Sequence, residues 1–440
     1  MLKIGSTGDS LARNAEWRKQ FSNETTRRTE NEADEPSLLL EKEVLFVWNY
    51  TEWGGAQIYF LGIMRLLREM NIRVCAVMPE GTSEKLLGYF ERENIPTSFF
   101  PTRIDAQKAA NFGHKIRRRL NDLRCHWILA RHLSELNLEN KIVHLDVAPW
   151  NAASLLYFLA RKAEVFVTLH ISQSDAPTLR NRWIRLKYKL LCRLPKFHLL
   201  ASNEDMRQSL RWFVDEKFFA SIPIAYTGVN TREIRGVLNL PLEREKLIQK
   251  YGLSENRLLV FSLGSLIERK GFRVLLEAAR RLKNENLFFV WIGDGEKLAE
   301  MQQLIVEFRL ENSVKVIRPT EIGENREDLL RLFRIADIFV HPSFAEGLPG
   351  AMLEAMALGL PVVVSEINAV PEAVKNMENG LLVRAGDADE FAKAILTLAK
   401  DGKLRENLAN KGQETVLNNF TEERCAEVTI DFYKNCLNTF

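Results

Sequence analysis

The sequence is poor in the residues that build disulfide-held or metal-held folds. It has five cysteines and seven histidines in 440 residues. The cysteines, at positions 75, 125, 192, 425 and 436, show neither close pairing nor the spacing of metal ligands. Free thiols of this kind are typical of a reducing compartment. We therefore expect no disulfide framework and no structural zinc site.

Long apolar runs are also missing. A membrane-spanning helix needs roughly 20 consecutive apolar residues. The best candidate, IVHLDVAPWNAASLLYFLA, is interrupted by His144, Asp146 and Asn151. The N-terminus lacks the apolar core of a signal peptide, and residues 1–40 are polar and charged. We expect a disordered leader over residues 1–40 and a cytoplasmic protein.

Charge is unevenly distributed along the chain. Residues 41–230 hold 27 Lys and Arg against 19 Asp and Glu, a net charge of +8, whereas the whole chain has +3. Two basic tracts stand out, KIRRRLNDLR at 115–124 and LRNRWIRLKYKLLCRLPK at 179–196. They suit an anionic acceptor or peripheral contact with an anionic membrane at its inner face. A solvated helix face is the alternative, and the absence of a reader motif argues against nucleic acid.

Short apolar runs alternate with longer helical patterns from Val44 onward, which indicates parallel sheets covered by helices. At 440 residues, with 46% hydrophobic and 27% charged residues, the chain is expected to form more than one globular domain. We predict an α/β fold of two doubly wound domains, 41–229 and 230–420, with a cleft between them. The predicted strands are VLFVW, IRVCAV, KIVHL, EVFVTLH and FHLLAS in the first domain, and LLVFSLG, LFFVWIG, VKVI, DIFVHPS, PVVVSE and GLLV in the second.

The stretch HPSFAEGLPGAMLEAMALGLPVVVSE, residues 341–366, concentrates the functional signals. The pattern places Glu346 in a loop at the carboxyl end of a strand and Glu354 one to two turns into the next helix. Free backbone N–H groups at the start of that helix favour an anion. A carboxylate, in turn, is a good acceptor for the hydroxyls of a ribose or sugar.

This stretch, followed by NGLLV, resembles the retaining nucleotide-sugar glycosyltransferases of family 4, which have the GT-B fold of two facing Rossmann-like domains. The resemblance runs from about Val44 to the end and is most specific from Leu259 to Val383. It implies that Glu346 contacts the donor sugar and Glu354 the nucleotide ribose. It also implies that Gly347, Leu348 and Pro349 lie against the sugar and diphosphate.

The segment GSLIERKG, residues 264–271, resembles the family's diphosphate-binding loop. The resemblance assigns the leaving diphosphate to Lys270. Ser265 stands where an arginine is common, and whether Arg269 replaces that arginine is left open. A lysine can by itself stabilise the charge that develops on the leaving group.

Two features of the first half resemble the family's cleft residues. Gly54 and Gly55, in TEWGGAQIYF, stand at a strand-to-helix turn where backbone can approach a ligand closely. His170 ends the run EVFVTLH and resembles the family histidine that meets the donor sugar. We therefore expect Glu346, Lys270 and His170 to be the catalytic residues.

The resemblance implies a glycosyltransferase that moves a sugar, with retention of configuration, from a nucleotide-diphosphate sugar to a sugar, lipid-linked or other hydroxyl acceptor. Polysaccharide, glycolipid or other glycoconjugate biosynthesis is the expected setting. We expect no metal and no further cofactor, because no metal-binding cluster of carboxylates occurs. Residues 421–440 are expected to form a helix that crosses back to the first domain. A nucleotide-sugar epimerase and a catalytically silent scaffold remain the alternatives.

Overall fold

The computed structural model describes residues 38–50, 55–101, 112–170, 172, 176, 178–323 and 325–438. Most of the predicted leader, residues 1–37, lies outside the described residues. Two six-stranded sheets, each with helices around it, make up the described part of the chain.

The first sheet is parallel and has the strand order β3-β2-β1-β4-β5-β6. Its inner strands are short β-branched and aromatic runs, and every residue of β5, EVFVTL, is buried. The elements of this domain are β1 (Glu43–Trp48), α1 (Gly55–Glu69), β2 (Arg73–Pro79), α2 (Glu84–Arg92), β3 (Thr97–Phe100), α3 (Phe112–Glu135), β4 (Lys141–Asp146), α4 (Pro149–Leu159), β5 (Glu164–Leu169), α5 (Leu179–Leu191), β6 (Phe197–Ala201), α6 (Glu204–Ser209) and α7 (Glu216–Ala220).

The second sheet repeats this topology, with the order β12-β11-β10-β7-β8-β9. A 3₁₀ turn, Glu268–Lys270, follows its first strand. The elements are α8 (Thr231–Asn239), α9 (Arg244–Tyr251), β7 (Leu258–Leu263), α10 (Phe272–Arg281), β8 (Leu287–Ile292), α11 (Leu298–Glu307), β9 (Val314–Ile317), α12 (Pro319–Ile322), α13 (Arg326–Phe333), β10 (Ile338–His341), α14 (Gly350–Ala357), β11 (Val362–Ser365), α15 (Val370–Ala373), β12 (Leu381–Val383), α16 (Ala388–Lys400), α17 (Gly402–Asn419) and α18 (Glu422–Leu437).

The prediction of two doubly wound domains is confirmed. In each sheet the strand order reverses beside the first strand, between β1 and β4 and between β7 and β10. Loops diverge at such a point and leave a crevice beyond the carboxyl ends of the strands, which is where open α/β sheets bind ligands. The topology therefore brings the loops after β7 and β10 together.

The chain crosses between the domains twice at one place. Val229 pairs with Thr421 in an isolated parallel bridge, and the Val229 amide donates to the Phe420 carbonyl at 2.9 Å. A Cβ on Gly228 would lie 2.0 Å from the Thr421 carbonyl carbon, so no larger residue fits there. Beyond this crossing α18 packs on α1, and Cys425, Ile430 and Tyr433 join the core of the first domain.

One strand was not predicted. β3, TSFF, lies at the edge of the first sheet, and among its four residues only Phe100 is buried. A strand this short and exposed lacks the continuous apolar run that marks the inner strands. No described helix is long and apolar enough to cross a membrane.

Candidate functional site

The loops after β7 and β10 are joined by backbone contacts. The Phe344 amide donates to the Arg269 carbonyl at 2.8 Å. Gly271 has a φ of +71°, and a Cβ there would lie 1.9 Å from the Pro342 carbonyl oxygen. Only glycine permits this close approach. The second glycine of GSLIERKG thus fixes the basic pair 269–270 against the loop that carries Glu346.

Glu346 is the centre of an ion cluster. Lys270 Nζ lies 2.5 Å from its Oε1, and Arg269 Nη1 lies 3.1 Å from its Oε2. His341 Nε2, at the end of β10, lies 3.4 Å from Oε1. Arg269 also donates to the Ala345 carbonyl. The structure therefore brings together Glu346, Lys270 and Arg269, three residues singled out in the sequence.

The cluster fixes the charge of Glu346. Burial by itself would raise the pKa of this carboxyl, but the hydrogen bond with His341 and the charge of Lys270 outweigh burial and hold the pKa well below its usual range. Burial lowers the pKa of His341, so its imidazole is neutral at neutral pH. Two cations beside one carboxylate leave a net positive charge at the loop, which suits an anionic ligand.

The loop between Glu346 and α14 is held in place on both sides. Leu348 and Pro349 are buried, and Pro349 is the N-cap of α14. The Glu346 amide donates to Asn368 Oδ1 at 3.3 Å. Gly347 is exposed. The backbone at Gly347 is thereby presented to the cleft at the start of a helix.

Glu354 lies in a different environment from Glu346. It is on α14, is only 9% exposed, and is paired with Arg326 from the start of α13. The Arg326 guanidinium also reaches Glu233, with Nε 3.0 Å from Glu233 Oε2. The two glutamates therefore have separate cationic partners and do not form a pair that could share a proton.

The first domain faces this loop across the cleft. A Cβ on Gly347 would lie 3.7 Å from the His170 carbonyl oxygen and 3.8 Å from Asn203 Nδ2. His170 follows β5 and Asn203 follows β6, so both stand at the carboxyl edge of the first sheet. The structure brings His170 to the same place as the loop 346–349.

His170 has an unused hydrogen-bonding atom. Its Nε2 is buried and has no hydrogen-bond partner among the described residues. The ring packs edge-on against Tyr59, with centroids 5.1 Å apart. Burial lowers the pKa of His170, although the charge of Asp146 acts in the opposite direction. A neutral imidazole with an unpaired nitrogen has the capacity to hydrogen-bond a hydroxyl.

The remaining predicted site residues are Gly54, Gly55 and Ser265. Gly54 lies outside the described residues, and Gly55 is the first residue of α1. Ser265 is exposed on the loop after β7, and its carbonyl accepts the Ile267 amide at 2.9 Å. No group of three or more His, Cys, Asp or Glu side chains able to hold a metal occurs in the part of the chain that is described.

Sequence reasoning missed four residues at the site. These are His341, Asn368, Asn203 and Arg326. His341 had a usable signal, because it lies within the predicted strand DIFVHPS, five residues before Glu346. The others come from distant segments with no motif of their own, and only the fold brings them to the cleft.

Comparison with known proteins places the second domain in a family. The profile described as glycosyl transferases group 1 matches residues 243–415. The lipopolysaccharide core biosynthesis glycosyltransferase LpsE from Rhizobium meliloti is 34% identical over 166 residues, which is 38% of this chain and 46% of that protein. The Escherichia coli UDP-Gal:alpha-D-GlcNAc-diphosphoundecaprenol alpha-1,3-galactosyltransferase is 27% identical over 285 residues, 62% of this chain and 70% of that protein. The chain spans about half the length of several other curated relatives that it matches.

Solved structures extend the likeness to the whole fold. A glycosyltransferase from Rickettsia africae superposes with a TM-score of 0.70 at 20% identity, over 91% of this chain and 100% of that one. HepE from Anabaena, solved in complex with UDP, superposes with a TM-score of 0.69 at 19% identity, over 89% of this chain and all of that chain. At these identities the likeness concerns the fold. Residues 243–415 thus form a glycosyl transferases group 1 domain, and they belong to a chain with the GT-B fold of glycosyltransferases.

Proposed function

We propose that the protein is a retaining glycosyltransferase of family 4, which moves a sugar from a nucleotide-diphosphate sugar to an acceptor hydroxyl in polysaccharide, glycolipid or other glycoconjugate biosynthesis. The observation that carries the proposal is the cluster of Glu346 with Lys270, Arg269 and His341, opposite His170 across the cleft. The relatives named above are transferases, which favours transfer over the epimerase alternative. The bound UDP of HepE supports a nucleotide donor.

The donor would lie along the loop 346–349. In this proposal the diphosphate contacts Lys270 and the N–H groups at the start of α14, where charge and backbone donors favour an anion. Glu346 and His170 contact the sugar hydroxyls from the two sides of the cleft. Glu354 accepts hydrogen bonds from the ribose hydroxyls. In the family an arginine is common at the position of Ser265. Arg269, already beside Glu346, takes the place of that arginine.

The proposed chemistry needs no protein nucleophile and no metal. The bond between the anomeric carbon and the diphosphate oxygen breaks, and Lys270 stabilises the charge that develops on the departing diphosphate. The acceptor oxygen bonds to the anomeric carbon on the face from which the diphosphate leaves. Because the new bond forms on the face from which the old one breaks, configuration is retained. The proton of the acceptor hydroxyl passes to the diphosphate oxygen, so charge balances. The protein contributes orientation and electrostatic stabilisation.

Product analysis tests this proposal. The purified protein is incubated with UDP-, GDP- and ADP-sugars and a panel of lipid-linked and free saccharide acceptors, and nucleotide release is measured. We expect acceptor-dependent release from one donor class, and NMR of the product is expected to show the anomeric configuration of the donor. An inverted linkage would contradict retention. An epimerised nucleotide sugar formed without acceptor would establish the epimerase instead.

We also propose that helices α3 and α5 of the first domain contact an anionic membrane. Exposed apolar residues recur along one side of α5 at Leu179, Trp183, Leu186 and Leu190, and Trp183 is 66% exposed. On α3, Trp127 is 65% exposed. Burial and the charge of Arg119 on α3 lower the pKa of Lys187 on α5. Exposed tryptophan among cations suits an anionic bilayer surface.

Vesicle sedimentation tests whether this surface binds a membrane or is only a solvated helix face. We expect binding to phosphatidylcholine vesicles that contain phosphatidylglycerol, weak binding to pure phosphatidylcholine, and loss of most binding in a double variant with Trp127→Ser and Trp183→Ser. Leu242→Ser, which removes a similarly exposed apolar side chain in the second domain, is the control. Equal binding by the double variant and the control would refute the membrane contact.

A further inference from the structure

Arg326 connects the proposed ribose carboxylate with the crossing between the domains. It is the first residue of α13, and its Nη2 contacts Glu354 Oε1. Its Nε lies 3.0 Å from Oε2 of Glu233, in the first turn of α8. Glu233 in turn is fixed by its own amide, which donates to Asn230 Oδ1 at 3.1 Å. One guanidinium thus joins α14 to the helix that begins just after the chain enters the second domain.

This contact borders the interdomain cleft. Arg326, Glu354 and Glu233 line one cavity together with residues of both crossings and of the first domain, namely Gly228, Asn230, Glu422, Leu61, Arg65 and Tyr89. Glu354 is 9% exposed and Arg326 is partly buried. Charged side chains that are partly removed from water interact more strongly than fully exposed ones.

The geometry leaves part of Glu354 for a ligand. A carboxylate has two oxygens that can accept about four hydrogen bonds in total. Arg326 contacts Oε1 of Glu354, and Oε2 has no hydrogen-bond partner among the described residues. A planar guanidinium held by two carboxylates fixes both of them more firmly than a lysine ammonium would.

We propose that Arg326 is a positioning residue for the donor: anchored by Glu233, it holds the Glu354 carboxylate in the orientation that accepts the ribose diol of the nucleotide. This inference rests on the proposed role of Glu354 in donor binding. It predicts that the contribution of Arg326 to affinity depends on the ribose hydroxyls. A merely structural role in joining α13 to α14 would weaken all nucleotides alike.

Calorimetric titration tests this dependence. UDP, GDP and ADP are titrated into the wild-type protein, and the tightest binder is compared with its 2′,3′-dideoxy analogue. We expect the wild type to prefer the diol nucleotide by about tenfold, as expected for hydrogen bonds to a charged group. In Arg326→Met this preference is expected to fall to about twofold or less, with the affinity for the dideoxy analogue unchanged. Arg326→Lys should retain part of the preference.

The matched control is Arg331→Met on the same helix, which removes an arginine that pairs with Glu243. It should keep the full preference. If the wild type does not distinguish the two nucleotides, the ribose role of Glu354 and hence the proposed donor site fail. If the wild type distinguishes them and Arg326→Met does so equally, or binds the diol nucleotide more tightly, only the role of Arg326 is overturned.

A second variant covers the case in which Arg326→Met does not fold. Glu233→Gln keeps Arg326 and Glu354 but removes the charge that anchors the guanidinium. We expect it to bind the dideoxy analogue as the wild type does and to show a reduced preference for the diol nucleotide. A preference equal to that of the wild type would overturn the proposal.

Discussion

Glu346 and Glu354 are eight positions apart in sequence, yet each has its own cations. Glu346 is held by Lys270, Arg269 and the neutral His341, whereas Glu354 is held by Arg326. Two carboxylates that act as general acid and general base need pKa values far enough apart for one to be protonated while the other is ionised. Separate ion pairs instead suit two contacts with different parts of one extended ligand.

Lys270 should affect turnover more than binding of the sugar. In Lys270→Met we expect kcat to fall by roughly 10²- to 10³-fold, because the positive charge stabilises the leaving diphosphate most strongly in the transition state. Steady-state nucleotide release measures this effect. Lys246→Met, which removes a 79% exposed lysine on α9, is the control and should keep full activity. Equal rates in the two variants would disprove the role of Lys270.

At the residue scale, the sequence was informative where short motifs keep their spacing. The resemblance of GSLIERKG and of the stretch around Glu346 to the family's motifs assigned both to the donor, and the structure places Lys270 2.5 Å from Glu346. The partners that come from other segments could not be predicted from the sequence. Arg326 and Asn203 are ordinary polar residues in sequence, and only the packing of α13 and β6 brings them to the cleft.

At the scale of elements, α18 is coupled to the first sheet by a buried polar network. His144 is on β4, and its Nε2 lies 2.7 Å from Thr168 Oγ1 on β5. Its Nδ1 lies 2.5 Å from the Tyr433 hydroxyl on α18. Burial, with the nearby His170, lowers the pKa of His144 to about 3. The imidazole is therefore neutral in the folded protein, and folding excludes a proton that the unfolded chain would bind.

This network predicts a loss of stability in acid. Because the folded pKa lies below the unfolded value of about 6.5, stability falls as pH decreases from about 6.5 towards 3. From His144 alone we expect the free energy of unfolding to be roughly 2 kcal/mol lower at pH 5.0 than at pH 7.5. Urea unfolding followed by tryptophan fluorescence measures it. His144→Gln should reduce the pH dependence by that amount, and an unchanged dependence would contradict the prediction.

The elements themselves were largely predictable, because the inner strands are continuous runs of β-branched and aromatic residues. β3 was missed because an exposed edge strand of four residues has no such run. The short helices α12 and α15, Pro319–Ile322 and Val370–Ala373, were not predicted either. Four residues are too few to establish a helical period, so such turns depend on their surroundings.

At the scale of the whole molecule, the carboxylate of Glu372 is one of the contacts that join the two domains. Glu372 on α15 accepts hydrogen bonds from the amides of Glu204 and Asp205, at 2.8 and 2.9 Å, at the start of α6 in the first domain. A carboxylate at exposed helix amides is favoured both by the donors and by the helix dipole. This contact stabilises the arrangement in which Gly347 faces His170.

Removing that carboxylate should open the cleft. In Glu372→Ala we expect a larger radius of gyration by small-angle X-ray scattering, and a donor Kd raised several-fold, because the binding-competent closed form is less populated. Glu378→Ala, at an exposed turn of the same domain, is the control. A radius of gyration identical to that of the wild type would show that Glu372 does not maintain closure.

The donor site itself is tested most directly by binding of nucleotide sugars to the purified protein. UDP-, GDP- and ADP-sugars are screened for thermal stabilisation, since a ligand of the native state raises the unfolding midpoint by mass action. The best donor is then titrated by calorimetry into the wild type, Glu354→Gln and the exposed-site control Glu311→Gln. We predict saturable binding, weakened about tenfold or more in Glu354→Gln and unchanged in the control. Binding unaltered by Glu354→Gln, or no binding of any nucleotide sugar, would contradict the account.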